Sequence, residues 1–232
     1  MKNFRNYFKT HPFAGVTAAL TFFLLLFLIL MSLSFPAEGV NGFTSYIMAF
    51  EFARSVADIN SLFNGMSPAE IKNVDVGNYL DFGFMITYSL FVAHLFVTAS
   101  KVFERKWLLI GIPLAVIVLL CDFFENIVLL EITKNYLAGA PDDVFSQLLE
   151  KLHIVTWIKW GGLAFAFLLF SGILFTQRWF YFVLGVICAL PVFFIIVLTN
   201  ATPFELSVFT ELIFLSFFAL IIFSFAFKNA DT

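Results

Sequence analysis

Apolar residues along this chain gather into long unbroken runs, and polar residues collect between the runs instead of alternating with them. The runs cover Phe13–Leu33, Leu80–Ala99, Trp107–Leu130, Ile154–Thr176, Trp179–Leu198 and Phe204–Phe227. Each is close to the ~20 residues that carry an α-helix across a ~30 Å hydrocarbon layer. An open sheet is excluded in that setting, because its edge backbone groups would find no hydrogen-bond partner in lipid. The pattern predicts an all-α fold, a polytopic integral membrane bundle of six transmembrane helices. Its expected layout is a leader at 1–12, a first span at 13–33, an outer segment at 34–79, a five-helix transmembrane region at 80–227 and a tail at 228–232.

The outer segment carries a different period. Phe43, Tyr46, Ile47, Phe50, Ala53 and Phe63 recur at helical spacing, while Glu51, Arg54, Ser55 and Asp58 occupy another stripe. This predicts an amphipathic helix over 43–63, lying on or dipping into the outer interface above the bundle. Glu51 and Arg54 are then either a solvated pair on a docking helix or the polar face of a lid over an outward-facing cavity. Ser67-Pro68-Ala69-Glu70 and Thr202-Pro203-Phe204-Glu205 follow the capping-box pattern with proline at the first helical position. Pro141-Asp142-Asp143 has the acids that favour a helix start, and predicts a short outer helix running on into the fourth span.

Composition agrees with a lipid solvent. The 232 residues are 61% hydrophobic and 12% charged, with mean hydropathy +0.97, against about 25% charged in an ordinary soluble domain. The net charge of −3, with no basic run or stacking motif, gives no support for nucleic acid as a partner, and none is expected. Cys121 and Cys188 fall inside apolar runs, without zinc spacing or a disulfide framework, and are read as small apolar packing residues.

Basic residues set an orientation. With both termini on the cytoplasmic side, Lys2, Arg5, Lys9, Lys101, Arg105, Lys106, Arg178 and Lys228 lie inside, eight in all. Arg54, Lys72, Lys134, Lys151 and the in-span Lys159 lie toward the outside, five spread over longer segments. The excess of inner positive charge predicts a multi-pass plasma-membrane protein with cytoplasmic N- and C-termini. Trp107 and Trp179 are the expected inner aromatic anchors; Tyr79, Trp157 and Trp160 are the outer ones. Of the 16 acids, Glu104 and Asp231 fall in cytoplasmic segments and the rest outside or in spans. The basic leader resembles that of a signal peptide, but the apolar run after Gly15 exceeds the usual ~7–15 residues, and Ser34–Phe35–Pro36–Ala37 is a poor cleavage site. A retained first span is expected.

Candidate chemistry lies among residues that a lipid-facing helix would not tolerate. Asp122, Glu125 and Asn126 sit at i, i+3 and i+4 and share one face of the third span. At a helical rise of ~1.5 Å per residue, Asp122 is roughly 12 Å and Glu125 roughly 8 Å below the outer boundary, with Lys159 of the fourth span roughly 8 Å down and Glu211 of the sixth about 10 Å down. Tyr88 reaches a similar level and Asp81 lies nearer the surface. A charge at the bilayer centre costs at least ~2.5–3.5 kcal/mol, so these groups are expected to face one another in an outer-half pocket. Asp122, Glu125 and Glu211 against Lys159 leave two surplus negative charges if all are ionised. A carboxyl must then hold a proton, or a cation must bind. The bland alternative is interhelical glue between Lys159 and one acid.

The remaining polar residues add little. His94 is read as helix-bridging and His153 as interfacial. No H-x-x-x-H or H-E-x-x-H spacing supports a metal site, and no cofactor motif occurs. Pro113 and Pro191 are candidates for bends, and Gly161-Gly162 for close helix approach. Three functions fit. One is binding or proton/cation-linked carriage of a small molecule, for which an inverted repeat of three plus three spans would suit, although residues 34–79 have no counterpart between the fifth and sixth spans. The second is a structural or assembly membrane protein. The third is an intramembrane enzyme on a lipid-like substrate, with Asp122 or Glu125 as acid/base.

Overall fold

The computed structural model describes residues 7, 10–197 and 201–229. The basic leader residues Lys2, Arg5 and Lys9, the end of the fifth span at Leu198, and Asp231 lie outside the described residues. The described chain is all-helical, and six of its helices are long and apolar enough to cross a membrane. The elements are α1 (Ala14–Ser32), α2 (Tyr46–Glu51), α3 (Val56–Phe63), α4 (Pro68–Val102), a 3-10 helix at Lys106–Ile110, α5 (Gly111–Leu137), α6 (Asp142–Leu174), α7 (Trp179–Val197) and α8 (Pro203–Ala226).

The spans α1, α4, α5, α6, α7 and α8 pack chiefly against their neighbours in chain order. Large rings fill the interior: Phe217 of α8 meets Tyr88 and Phe91 of α4 and Phe167 of α6. Spans α1 and α8 close the arrangement at one end, where the Phe13 ring lies edge-on to Phe223 and Phe227. His94 of α4 reaches the Phe13 carbonyl at 3.2 Å, which makes it the bridge its position suggested.

The opposite end carries the long connection, and there the boundaries differ from those read in the sequence. Helix α4 has 35 residues and α6 has 33, roughly 50 Å each at ~1.5 Å per residue. Both outrun a ~30 Å hydrocarbon layer. Helix α4 starts at Pro68, well before Leu80, because Ser67 and Glu70 form the reciprocal capping box and nothing after it breaks the helix. The projecting ends of α5 and α6 support α2 and α3: Tyr46, Phe50, Ile59 and Phe63 are buried in one cluster with Leu129, Ile132, Leu149 and Leu152. The buried faces of α2 and α3 are therefore held against protein.

The single amphipathic helix expected over 43–63 is two helices. Asp58, read as part of a polar stripe, is a cap. Its Oδ2 accepts from the backbone N–H groups of Arg54 and Ser55 at 3.0 and 2.9 Å, while Ser55 Oγ accepts from the Asp58 N–H at 3.2 Å. That box starts α3 afresh, and the break turns the end of α2 toward the bundle. Thr202 and Glu205 form the same box at the start of α8. Pro113, a candidate bend, lies in the first turn of α5, where its missing N–H forfeits no helical bond; Pro191 is inside α7.

Candidate functional site

Four helices bring their polar faces to one place near the long-connection end. From α5 come Asp122, Glu125 and Asn126; from α6 come Thr156, Lys159 and Trp160, again at i, i+3 and i+4; from α4 come Asp81 and Tyr88. The fourth contributor is Glu51, the last residue of α2. All of these side chains are buried.

Lys159 is the hub. Its Nζ lies 2.9 Å from Glu51 Oε2 and 3.3 Å from Asp122 Oδ1, and it also pairs with Glu125 Oε2. The indole N–H of Trp160 donates to the same Glu51 oxygen at 2.9 Å. Thr156 donates to Glu125 Oε1 and to the Glu51 backbone carbonyl. Tyr88 donates to Asp122 Oδ2 at 2.5 Å, and Asn126 donates to Asp81 Oδ2 at 2.7 Å. Asp122 Oδ1 accepts no hydrogen bond, although the ammonium stands nearby.

The cluster sets four carboxyls (Glu51, Asp81, Asp122 and Glu125) around one ammonium. All ionised, it would carry three surplus negative charges. A buried surplus of that size is strongly unfavourable, so the arrangement can hold protons, accept a cation, or do both in turn. Burial lifts the Glu51 carboxyl above the ordinary carboxylate range, and Lys159 draws it part of the way back.

Two candidates stand elsewhere. Glu211 is exposed at the rim, where its Oε1 accepts from Thr44 Oγ1 at 3.2 Å, and it is not among the partners of Lys159. Its side of α8 turns it to the mouth of the cavity that the cluster lines and not into the ion pairs themselves. Arg54 is exposed and does not pair with Glu51; it borders a smaller depression of about 400 Å³ beside Glu150 and His153. The break after α2 separates the pair, sending Glu51 inward and Arg54 outward. Trp160, expected at the outer interface, is instead 5% exposed and bonded to Glu51. Thr156 was not named from the sequence and Trp160 only as an interfacial anchor, although their spacing from Lys159 repeats the stripe seen in α5.

A cavity of about 580 Å³ opens onto this cluster. Glu51, Asp81, Tyr88, Asp122, Lys159 and Trp160 form its polar side. Leu28 and Met31 of α1, and Phe214 and Phe217 of α8, form apolar walls. Ser32, Thr44 and Glu211 are exposed around its mouth. Among the described residues, no group of three or more His, Cys, Asp or Glu side chains is placed to hold a metal ion.

No family model, curated protein or solved structure matches this chain. Its class is set by the fold and the buried groups: a multi-pass membrane helix bundle with buried acidic residues.

Proposed function

We propose that this protein binds a small molecule in the cavity, or carries it in a proton- or cation-linked manner, as a multi-pass plasma-membrane protein with both termini in the cytoplasm. One observation carries the reading: the surplus of buried carboxyls faces a cavity large enough for a ligand, instead of being sealed between helices. Ligand sites typically have about 300–1,000 Å³ and mostly apolar walls with a few convergent polar groups, and this cavity has that composition. The excess of basic residues at the opposite end supports the orientation.

The assembly reading retains one specific support. Glu51 ties α2 to α6 through Lys159 and Trp160, so the cluster also fastens the long connection to the bundle.

Native mass spectrometry from lipid nanodiscs separates the two readings. Wild type should retain a small molecule or cation that Asp122→Asn and Glu125→Gln lose while still folded. If nothing is retained and the variants merely unfold more easily, the cluster is structural. Cysteines at Ala37 and Lys106 should label from opposite sides, Ala37 from outside; the reverse would overturn the orientation.

A further inference from the structure

We propose that the ligand is an amphiphile with a protonated amine head and an apolar tail, admitted from the bilayer between α1 and α8. This rests on the binding reading above and names the ligand class for that same site.

The head is argued from the cavity's charge. Glu51, Asp81 and Asp122 face it together with Lys159, and Glu211 stands at the rim. Lys159 is already engaged with Glu51, Asp122 and Glu125. Asp122 is 2% exposed, borders the cavity, and has in Oδ1 an acceptor that receives no hydrogen bond. That oxygen already stands 3.3 Å from Lys159 Nζ, and an ammonium head would cancel one of the surplus negative charges that Lys159 leaves uncompensated. A head carrying a carboxylate or phosphate without an ammonium would instead add negative charge beside buried acids at short range. The aromatic lining fits the same head, since ring faces attract cations. Lys159 Nζ already lies 4.9 Å from the Trp160 ring centre, and Tyr88 and Phe217 line the cavity beside it.

The tail and its route follow from the helix arrangement. Spans α1 and α8 are in ring contact near Phe13, where the Asn229 N–H also donates to the Thr10 carbonyl at 2.9 Å. Toward the long-connection end, Leu28 and Met31 on one helix and Thr210 and Phe214 on the other all border the cavity, which therefore lies between them. Both helices are apolar spans, so in a bilayer a slot between them would face hydrocarbon. An alkyl chain can remain in that slot while its amine reaches Asp122 and Glu51.

The test uses the full chain in phosphatidylcholine nanodiscs and three photoreactive probes of equal length: a tetradecylamine, a tetradecanol and a tetradecanoic acid, each with a diazirine near the tail end. The amine should label peptides of α1 and α8 about tenfold or more above the other two. Glu51→Gln and Asp122→Asn should lower amine labelling by a similar factor, the scale of a lost charge-assisted hydrogen bond. Should either variant fail to fold, the probe series on wild type decides alone. Preference for the acid or alcohol would overturn the amine head while leaving a binding cavity. Amine labelling away from α1 and α8 would overturn the lateral route. No labelling by any probe, on folded protein, would sink both this inference and the binding reading. Phosphatidylethanolamine added to the nanodisc distinguishes the source: competition assigns the head to a lipid, and its absence to a free amine, either being the chemistry proposed.

Discussion

Replacing Lys159 with methionine tests the logic of the buried cluster most directly. The side chain keeps its approximate length but loses the charge that three carboxyls share. At about 3 Å and an effective dielectric near 20, each pair is worth roughly 5 kcal/mol gross. Desolvation of the ions offsets most of that sum. The relevant figure is the penalty for orphaning a buried charge, about 3–5 kcal/mol. Lost interhelical hydrogen bonds alone would cost less, since such bonds in membranes average ~0.6 kcal/mol. Lys159→Met should therefore lower unfolding free energy by about 3–5 kcal/mol, measured by circular dichroism in mixed micelles with increasing denaturing detergent. Adding Glu125→Gln to Lys159→Met should recover part of the loss, because it removes one orphaned carboxylate; a coupling of about 0.5–3 kcal/mol is the expected scale for contacting residues. A loss below about 1 kcal/mol, in the range of ordinary exposed pairs, or a second substitution that only adds damage, would refute the reasoning.

Glu51→Gln should flatten the stability profile with pH. Because burial raises the Glu51 carboxyl, its contribution is full below the unfolded carboxyl value near ~4.3 and is lost as pH climbs through the folded value. Wild type should lose stability relative to the variant from about pH 4 upward, and parallel profiles would count against the assignment. Asp58→Ala removes the acceptor for the Arg54 and Ser55 N–H groups and should cost about 1 kcal/mol. Hydrogen exchange should quicken in α3 and stay unchanged in α7; uniform change would point to global loosening. A Cβ at Gly83 would overlap the Phe27 ring of α1, so Gly83→Leu should destabilise by about 1–3 kcal/mol. The same change at Gly161, where no atom lies within 4 Å of the added Cβ, is the control, and equal effects would undo the packing argument.

The spans were legible because lipid imposes a coarse requirement, a long apolar run, that neither packing nor topology alters. The acid stripe of α5 was legible for a related reason: charged residues inside such a run must face protein or water, and i, i+3, i+4 spacing fixes which groups share a face. Contact was harder, because depth along a helix is one coordinate and rotation about its axis is the other. Glu211 has the right depth, but its rotation takes it to the cavity mouth and not to Lys159. Its neighbours Thr210 and Ile213 are buried while it stands exposed at the rim. Glu51 shows the reverse failure. It lies outside every span, so no hydropathy window marks it, and its inward turn depends on the Ser55–Asp58 box four to seven residues further on. Read as one amphipathic helix, 43–63 puts Glu51 and Arg54 on the same polar stripe; broken at the box, it sends them to opposite sides. Glu51 was thus named only for a solvated pair or a lid, and its contact with Lys159 was hidden by a capping interaction. In a membrane protein, short polar signals in the connections can decide which charges the bundle must accommodate.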